Sequence, residues 1–309
     1  MPTVCYLILT HRDPPQVERL VRTLRRGSPA APIVVTHDAR ACELDRARVA
    51  DLSAVFVRSS TRAYVRGWWS GHMQTYLESI AWIERQGIEY DWLVDLTGQD
   101  YPVKPLPVAE AFLAASSADA YLRVWDVLSP ASPWSRRKAR ARYWYRYTPL
   151  PESLAPLLRA LRPLAKLLPF QVYLDYGTFF GVRRLRTPFG PDFRCYGGWS
   201  FLTLRRAAAR YLLEFAAARP DIVRYYQRTM VPDESFVQTA LQNSGRFRLV
   251  DDDLRYIDYR HAVRGAPRVL TTADLPQLAS GKYHLARKFD PAVDAEVLDR
   301  VDRELLLSS

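Results

Sequence analysis

The sequence predicts an α/β fold, on three observations. Continuous apolar runs suited to strands buried on both faces alternate with segments whose apolar residues recur at helical spacing. The alternation opens as strand, helix, strand, which implies parallel strands with crossover connections. The 309 residues are 48% hydrophobic and 25% charged, with no internal repeat and no low-complexity linker, so a single domain over 1–309 with elaborations is the economical expectation.

The elements follow in order. Residues 4–9 form the first apolar run. After Pro14 and Pro15, Val17, Leu20, Val21 and Leu24 share one helical face with charges between them. Residues 32–36 and 52–57 read as the next strands. A helix over 71–85 carries Met73, Tyr76, Leu77, Ile80, Ala81 and Ile83 inward, and a strand follows over 90–96. Residues 107–115 suggest a short helix and 120–124 a strand. From 129 to 170 the chain is rich in Pro, Arg and aromatics and reads as an insertion over the sheet. Strand pattern returns at 199–204 and helix pattern at 206–218. Further helices are expected near Pro232, over 274–279 and over 292–306.

Composition narrows the function classes. The three cysteines are an odd number without Cys-x-x-Cys spacing, which argues against a disulfide framework or a structural zinc site. The formal charge of +11 suits an anionic partner, yet only five of the 44 cationic residues are lysine, which a bias toward arginine would also produce. Nucleic acid is therefore not the expected partner. Even 154–168 is too short and too interrupted by Arg159, Arg162 and Lys166 to span a bilayer. With no leader pattern in the first residues, a cytoplasmic protein is expected, with peripheral membrane association left open.

Ligands of open α/β sheets bind beyond the carboxyl ends of the strands, which directs attention to four polar turns. These are Thr10-His11-Arg12-Asp13, His37-Asp38, Thr97-Gly98-Gln99-Asp100-Tyr101-Pro102 and Asp251-Asp252-Asp253. No glycine-rich segment ends in Gly-Lys-Ser or Gly-Lys-Thr, which excludes a P-loop. The Asp251 to Asp253 run could hold a divalent cation, although it lies late in the chain. Arg58, Arg62 and Arg66 could favour an anion but read equally as a surface cluster.

Four segments carry a family resemblance in order along the chain. They are Tyr6-Leu7-Ile8-Leu9-Thr10-His11, Gly98-Gln99-Asp100-Tyr101-Pro102, Val231-Pro232-Asp233-Glu234-Ser235-Phe236 and Ala286-Arg287-Lys288-Phe289-Asp290. Arg255-Tyr256-Ile257 and Arg268-Val269-Leu270-Thr271, followed by Asp274-Leu275, are weaker matches. The set resembles the core-2/I-branching N-acetylglucosaminyltransferase and peptide O-xylosyltransferase family. That resemblance implies a Rossmann-like GT-A nucleotide-sugar fold, inversion at the anomeric carbon and no metal requirement. It also divides the chain into a nucleotide-binding half over 1–125 and an acceptor-binding and catalytic half over 126–309.

The resemblance implies roles by position. Glu234 matches the general base, aimed from the first turn of the helix expected at Pro232. Lys288 matches the basic residue that holds the donor diphosphate, with Arg268 beside it and Arg260 or Arg264 as alternatives. From their expected places at the carboxyl edge of the N-terminal strands, rather than from the motifs, His11, Arg12, Asp38, Gln99 and Asp100 would meet the nucleoside end of a UDP-sugar, while Gln99 and Asp100 could equally hold a buried turn together. Trp199 could stack on an acceptor sugar, and Arg137 and Arg140 sit where the family binds acceptor. The donor sugar would be N-acetylglucosamine, xylose or glucuronate, and the acceptor a glycan, a lipid-linked intermediate or a secondary metabolite. No cofactor or metal is expected, since the UDP-sugar is a co-substrate. A non-catalytic binder of anionic ligands or nucleic acid on an α/β scaffold, and a transferase that binds nucleotide without turnover, are the competing readings.

Overall fold

The computed structural model describes residues 3–44, 52, 55–59, 68, 69, 71–166, 168–260 and 266–307. Its centre is a seven-stranded sheet. β1 (Val4–Thr10) pairs in parallel with β2 (Ile33–His37) on one side and β4 (Trp92–Thr97) on the other, and β3 (Val55–Ser59) extends the sheet beyond β2. β12 (Thr203–Arg205) runs antiparallel between β4 and β6 (Ala120–Tyr121), and β13 (Leu249–Val250) closes the far edge. The parallel-rich α/β layout expected from the sequence is present.

Every residue of β1 is buried, as its unbroken apolar run requires. The two-residue pleat divides them: Cys5, Leu7 and Leu9 enter one apolar core, Val4, Tyr6 and Ile8 the other. α2 (His72–Arg85), α6 (Arg206–Ala218) and α8 (Phe236–Ser244) pack in the first core. α1 (Pro14–Gly27) and α3 (Leu106–Ala115) pack in the second, where α1 places Val17, Leu20, Val21 and Leu24. Among the described residues no helix is long and apolar enough to cross a membrane.

Three smaller sheets elaborate the centre. β5 (Asp100–Pro102) lies antiparallel to β15 (Leu285–Arg287), which pairs in parallel with β14 (Arg255–Ile257), so Arg287 stands opposite Asp100. β7 (Trp125–Asp126) pairs with β11 (Tyr196–Gly197). The Arg- and aromatic-rich segment contains α4 (Arg136–Tyr143), β8 (Tyr145–Pro149) and α5 (Ala155–Leu161), and runs on into β9 (Phe170–Tyr173) and β10 (Phe179–Arg183). β8, β10 and β9 form an antiparallel sheet of their own, which the sequence pattern does not announce.

Some boundaries differ from expectation. The helix expected at Pro232 is a single 3-10 turn, Pro232–Glu234, and α8 starts only at Phe236. The extended φ of −152° at Ser235 separates the two. The strand expected over 199–204 is shortened to β12 at Thr203, with the Leu202 carbonyl just before it accepting the Asp95 N–H and the Trp199 carbonyl taken up by Gln238 Nε2 instead. In the tail, Asp294 accepts the backbone N–H groups of Glu296 and Val297, so α10 (Val297–Val301) starts later than the expected 292.

Candidate active site

Three parallel strands end at one cavity. β1 delivers His11 and Arg12, β2 delivers Asp38, β4 delivers Gly98 and Gln99, and all five line a space of about 260 Å³. The turn after β4 must be tight, because a Cβ at Gly98 would stand 2.9 Å from Thr10 Oγ1 and Val17 Cγ2. Gln99 Nε2 donates to the Phe289 carbonyl at 3.2 Å, and the Phe289 N–H donates to the Gln99 carbonyl at 3.0 Å. These bonds tie the end of β4 to the segment that carries Lys288. Burial, and next the Arg12 guanidinium, hold the His11 imidazole below its ordinary pKa.

Val231, Asp233 and Glu234 supply another part of the lining. Glu234 Oε2 accepts a 2.5 Å hydrogen bond from Arg142 Nη1, and its backbone carbonyl accepts the Gly198 N–H at 2.9 Å. A Cβ at Gly198 would fall 1.8 Å from the Arg123 carbonyl oxygen, so only glycine lets this strand of chain come so close. Val231 holds the left-handed φ of 52°, strained for a β-branched residue, with its carbonyl accepting from the Tyr143 hydroxyl at 3.1 Å. The Arg142 guanidinium lies over the Trp134 ring at 4.5 Å. The turn 231–234 is thereby held from α4 and from the loop before β12.

Behind the turn is a buried cluster of ionisable groups. His72 Nε2, at the start of α2, lies 3.3 Å from Asp95 Oδ2 on β4, and Asp95 is fully buried. Burial opposes the imidazolium, but the Asp95 carboxylate outweighs it, and the His72 pKa ends above its ordinary value. Burial raises Asp95, with His72 offsetting part of the effect. Asp233 is pushed up to about 6, chiefly by burial and against the pull of His72, while the neighbouring Glu234 adds to the rise.

Cations enter from β15 and the residue after it. Arg287 and Lys288 both line the cavity. Arg287 lies over the Phe201 ring at 4.2 Å, with Nη1 3.6 Å from Asp100 Oδ2. One space therefore combines a carboxylate held by an arginine, two further cations, and polar groups at the strand ends. Such a set can take a proton from a hydroxyl and stabilise a departing phosphate.

Residues 4–279 match the family model described as Core-2/I-Branching enzyme. The chain belongs to that glycosyltransferase family. Among curated proteins it is 24% identical over 238 residues to beta-glucuronosyltransferase GlcAT14A of Arabidopsis thaliana, covering 74% of this chain and 46% of the relative. It is 29% identical over 120 residues to beta-glucuronosyltransferase GlcAT14B of the same plant, covering 38% and 27%. The chain thus spans less than half the length of these relatives. Among solved structures, a nucleoside-diphosphate-sugar pyrophosphorylase from Vibrio cholerae RC9 aligns with a TM-score of 0.36 at 10% identity, over 79% of this chain and 89% of that one.

Of the residues singled out in the sequence, His11, Arg12, Asp38, Gln99, Glu234 and Lys288 converge on the cavity. Asp100 does not line it. Its buried carboxylate accepts the Thr97 N–H at 2.5 Å and faces Arg255 and Arg287, so it holds the turn. Arg268 is also outside the lining, because its guanidinium is committed to Asp258 at 2.7 Å and Asp274 at 2.5 Å. Arg260 is exposed and pairs with Asp258, and Arg264, like Arg62 and Arg66, lies outside the described residues. Arg58 donates to Ser79 Oγ at 2.9 Å, away from the lining.

On α4, Arg137 and Arg140 face solvent and Arg142 alone of the three turns inward. Trp199 stands one layer back, its ring 5.0 Å from that of Tyr259, which does line the cavity. The Asp251 to Asp253 run is occupied elsewhere: Asp251 binds Arg123 and the Val124 N–H, Asp252 the Leu254 N–H, Asp253 the Arg255 N–H. Sequence reasoning missed Arg142, His72, Asp95, Asp233, Arg287 and Tyr259. Asp233 and Arg287 lie inside the quoted motifs without a role assigned to them, and Arg142 follows buried Ala139 by three residues, which places the two on one helical face.

Proposed function

We propose that the chain is an inverting glycosyltransferase that moves a sugar from a UDP-sugar to an acceptor hydroxyl, with Glu234 as general base and no metal ion. The observation that carries this reading is that Glu234 and the Arg287-Lys288 pair line one cavity. The acceptor oxygen attacks the anomeric carbon on the face away from the nucleotide, and its proton passes to Glu234. The bond from the anomeric carbon to the β-phosphate oxygen breaks, and UDP leaves with the electron pair. Lys288 and Arg287 meet the growing negative charge, Arg287 in the part expected of Arg268. Arg142 keeps Glu234 aimed.

Glucuronate ranks first among the three donors, because both curated relatives are named as beta-glucuronosyltransferases. The acceptor is a hydroxyl on a glycan, a lipid-linked intermediate or a secondary metabolite. The test is product analysis with UDP-glucuronate, UDP-N-acetylglucosamine and UDP-xylose, each with EDTA and with Mn²⁺. A β-linked product from an α-linked donor in EDTA is the expected result. Retention at the anomeric carbon, or transfer only with Mn²⁺, would sink this mechanism.

A further inference from the structure

The large apolar side chains that stay exposed are concentrated in one segment. Of ten among the described residues, six fall between positions 154 and 185: Leu154, Leu157, Leu164, Leu168, Val182 and Leu185. Leu185 is 102% exposed. Clusters of this kind mark a surface that meets something apolar.

The local structure explains their direction. In α5 and the 3-10 turn Arg162–Lys166 that continues it, Leu158 and Ala165 are buried while Leu157 and Leu164 turn outward. Along β10 the pleat puts Gly181 on the face of the fully buried Tyr147, and Phe180 and Val182 on the other. There Val182 stands opposite Phe170, whose ring stacks on Phe180 at 5.4 Å. Arg146, Arg159, Arg162, Arg183 and Arg186 are all exposed in the same segment. From 144 to 186 the sequence has seven basic residues against two acidic ones, Glu152 and Asp175.

We propose that the outer face of the β8-β10-β9 sheet, with α5 and its continuation, docks on an anionic lipid bilayer. Leucines on short turns can enter the boundary between headgroups and acyl chains, while arginines hold lipid phosphates and lay their stems along the apolar layer. A second copy of the chain suits this face poorly, because a two-fold contact would set one basic surface against another. The face also communicates with the cavity: Tyr176, in the β9-β10 connection, lines it, and its ring lies 5.7 Å from that of Tyr173 on β9. Docking would therefore bring the cavity near headgroup level, within reach of a lipid-borne acceptor.

The test is co-sedimentation of the full chain with phosphatidylcholine vesicles, with and without phosphatidylglycerol, at low and high salt. Two triple variants accompany it, Leu157→Ser/Leu164→Ser/Leu185→Ser and Arg146→Ser/Arg159→Ser/Arg186→Ser, Arg146 standing opposite Val182 on the outer face, with Leu185→Ser alone as the variant least able to disturb folding. Binding to the anionic vesicles is expected, weakened by salt and lowered roughly 100-fold by removal of three arginines. Both triple variants should retain the wild-type melting temperature and UDP affinity. No binding to anionic vesicles, or equal binding to neutral ones, overturns the proposal. So does a dimer in sedimentation velocity that the leucine variant abolishes while vesicle binding is unchanged.

Discussion

Arg142 Nη1 lies 2.5 Å from Glu234 Oε2, joining positions 92 apart in sequence. The arginine side chain is 8% exposed and the glutamate 20%, so the pair is sheltered yet open to the cavity on one side. An arginine in this place fixes one carboxylate oxygen, and on the proposed mechanism the other meets the acceptor. Arg142→Met removes the bond and leaves a sheltered carboxylate without its partner. A loss of about 3 kcal/mol in urea unfolding is expected, at the low end for a broken buried pair because Glu234 keeps some solvent. Turnover should fall while UDP affinity holds.

Glu234→Gln tests the base itself. The amide is nearly isosteric and cannot accept the proton, so kcat should drop by ~100-fold or more with UDP binding unchanged. Transfer at the wild-type rate would place the base elsewhere.

Lys288 and Arg268 should separate by assay. Lys288→Ala is expected to weaken UDP binding in calorimetric titration and to leave the melting temperature close to wild type. Arg268→Ala should do the reverse, costing roughly 2 kcal/mol of stability because Asp258 and Asp274 lose their shared partner. A loss of UDP affinity in the Arg268 variant would return that residue to the diphosphate site.

Asp233 gives the site a signature in pH. Its pKa, raised by burial to about 6, exceeds the unfolded value of 3.8, so the folded state binds its proton more readily than the unfolded chain does. The contribution is fully present below the unfolded pKa and is lost as pH rises through about 6. Asp233→Asn should therefore match wild type near pH 4 and exceed it at pH 7 by on the order of 3 kcal/mol in denaturant unfolding. Parallel stability curves for the two proteins would show that Asp233 titrates normally.

The parts of the fold carried by local pattern were legible. The run of β1, the α1 stripe of Val17, Leu20, Val21 and Leu24, and the α6 helix over 206–218 all follow from periodicity that packing then uses. The β8-β10-β9 sheet was not legible, because its strands are short, aromatic-rich and paired with each other rather than with the centre. In the site, residues just after strands were found through topology. His72 and Asp95 could not be, since each looks ordinary in sequence and gains meaning only when α2 is laid beside β4. Arg268 was placed at the diphosphate from a weak motif match, which says nothing of Asp258 and Asp274, the carboxylates that claim its guanidinium.

β12 occupies an interior position between β4 and β6, so the later half of the chain supplies a rung to the sheet of the earlier half. A recombination between relatives near residue 125 would exchange that rung and several walls of the cavity in one event. Among the described residues the outlying β8-β10-β9 sheet shares no ladder with the centre, so changes in its length or sequence need not shift the strand ends that line the cavity.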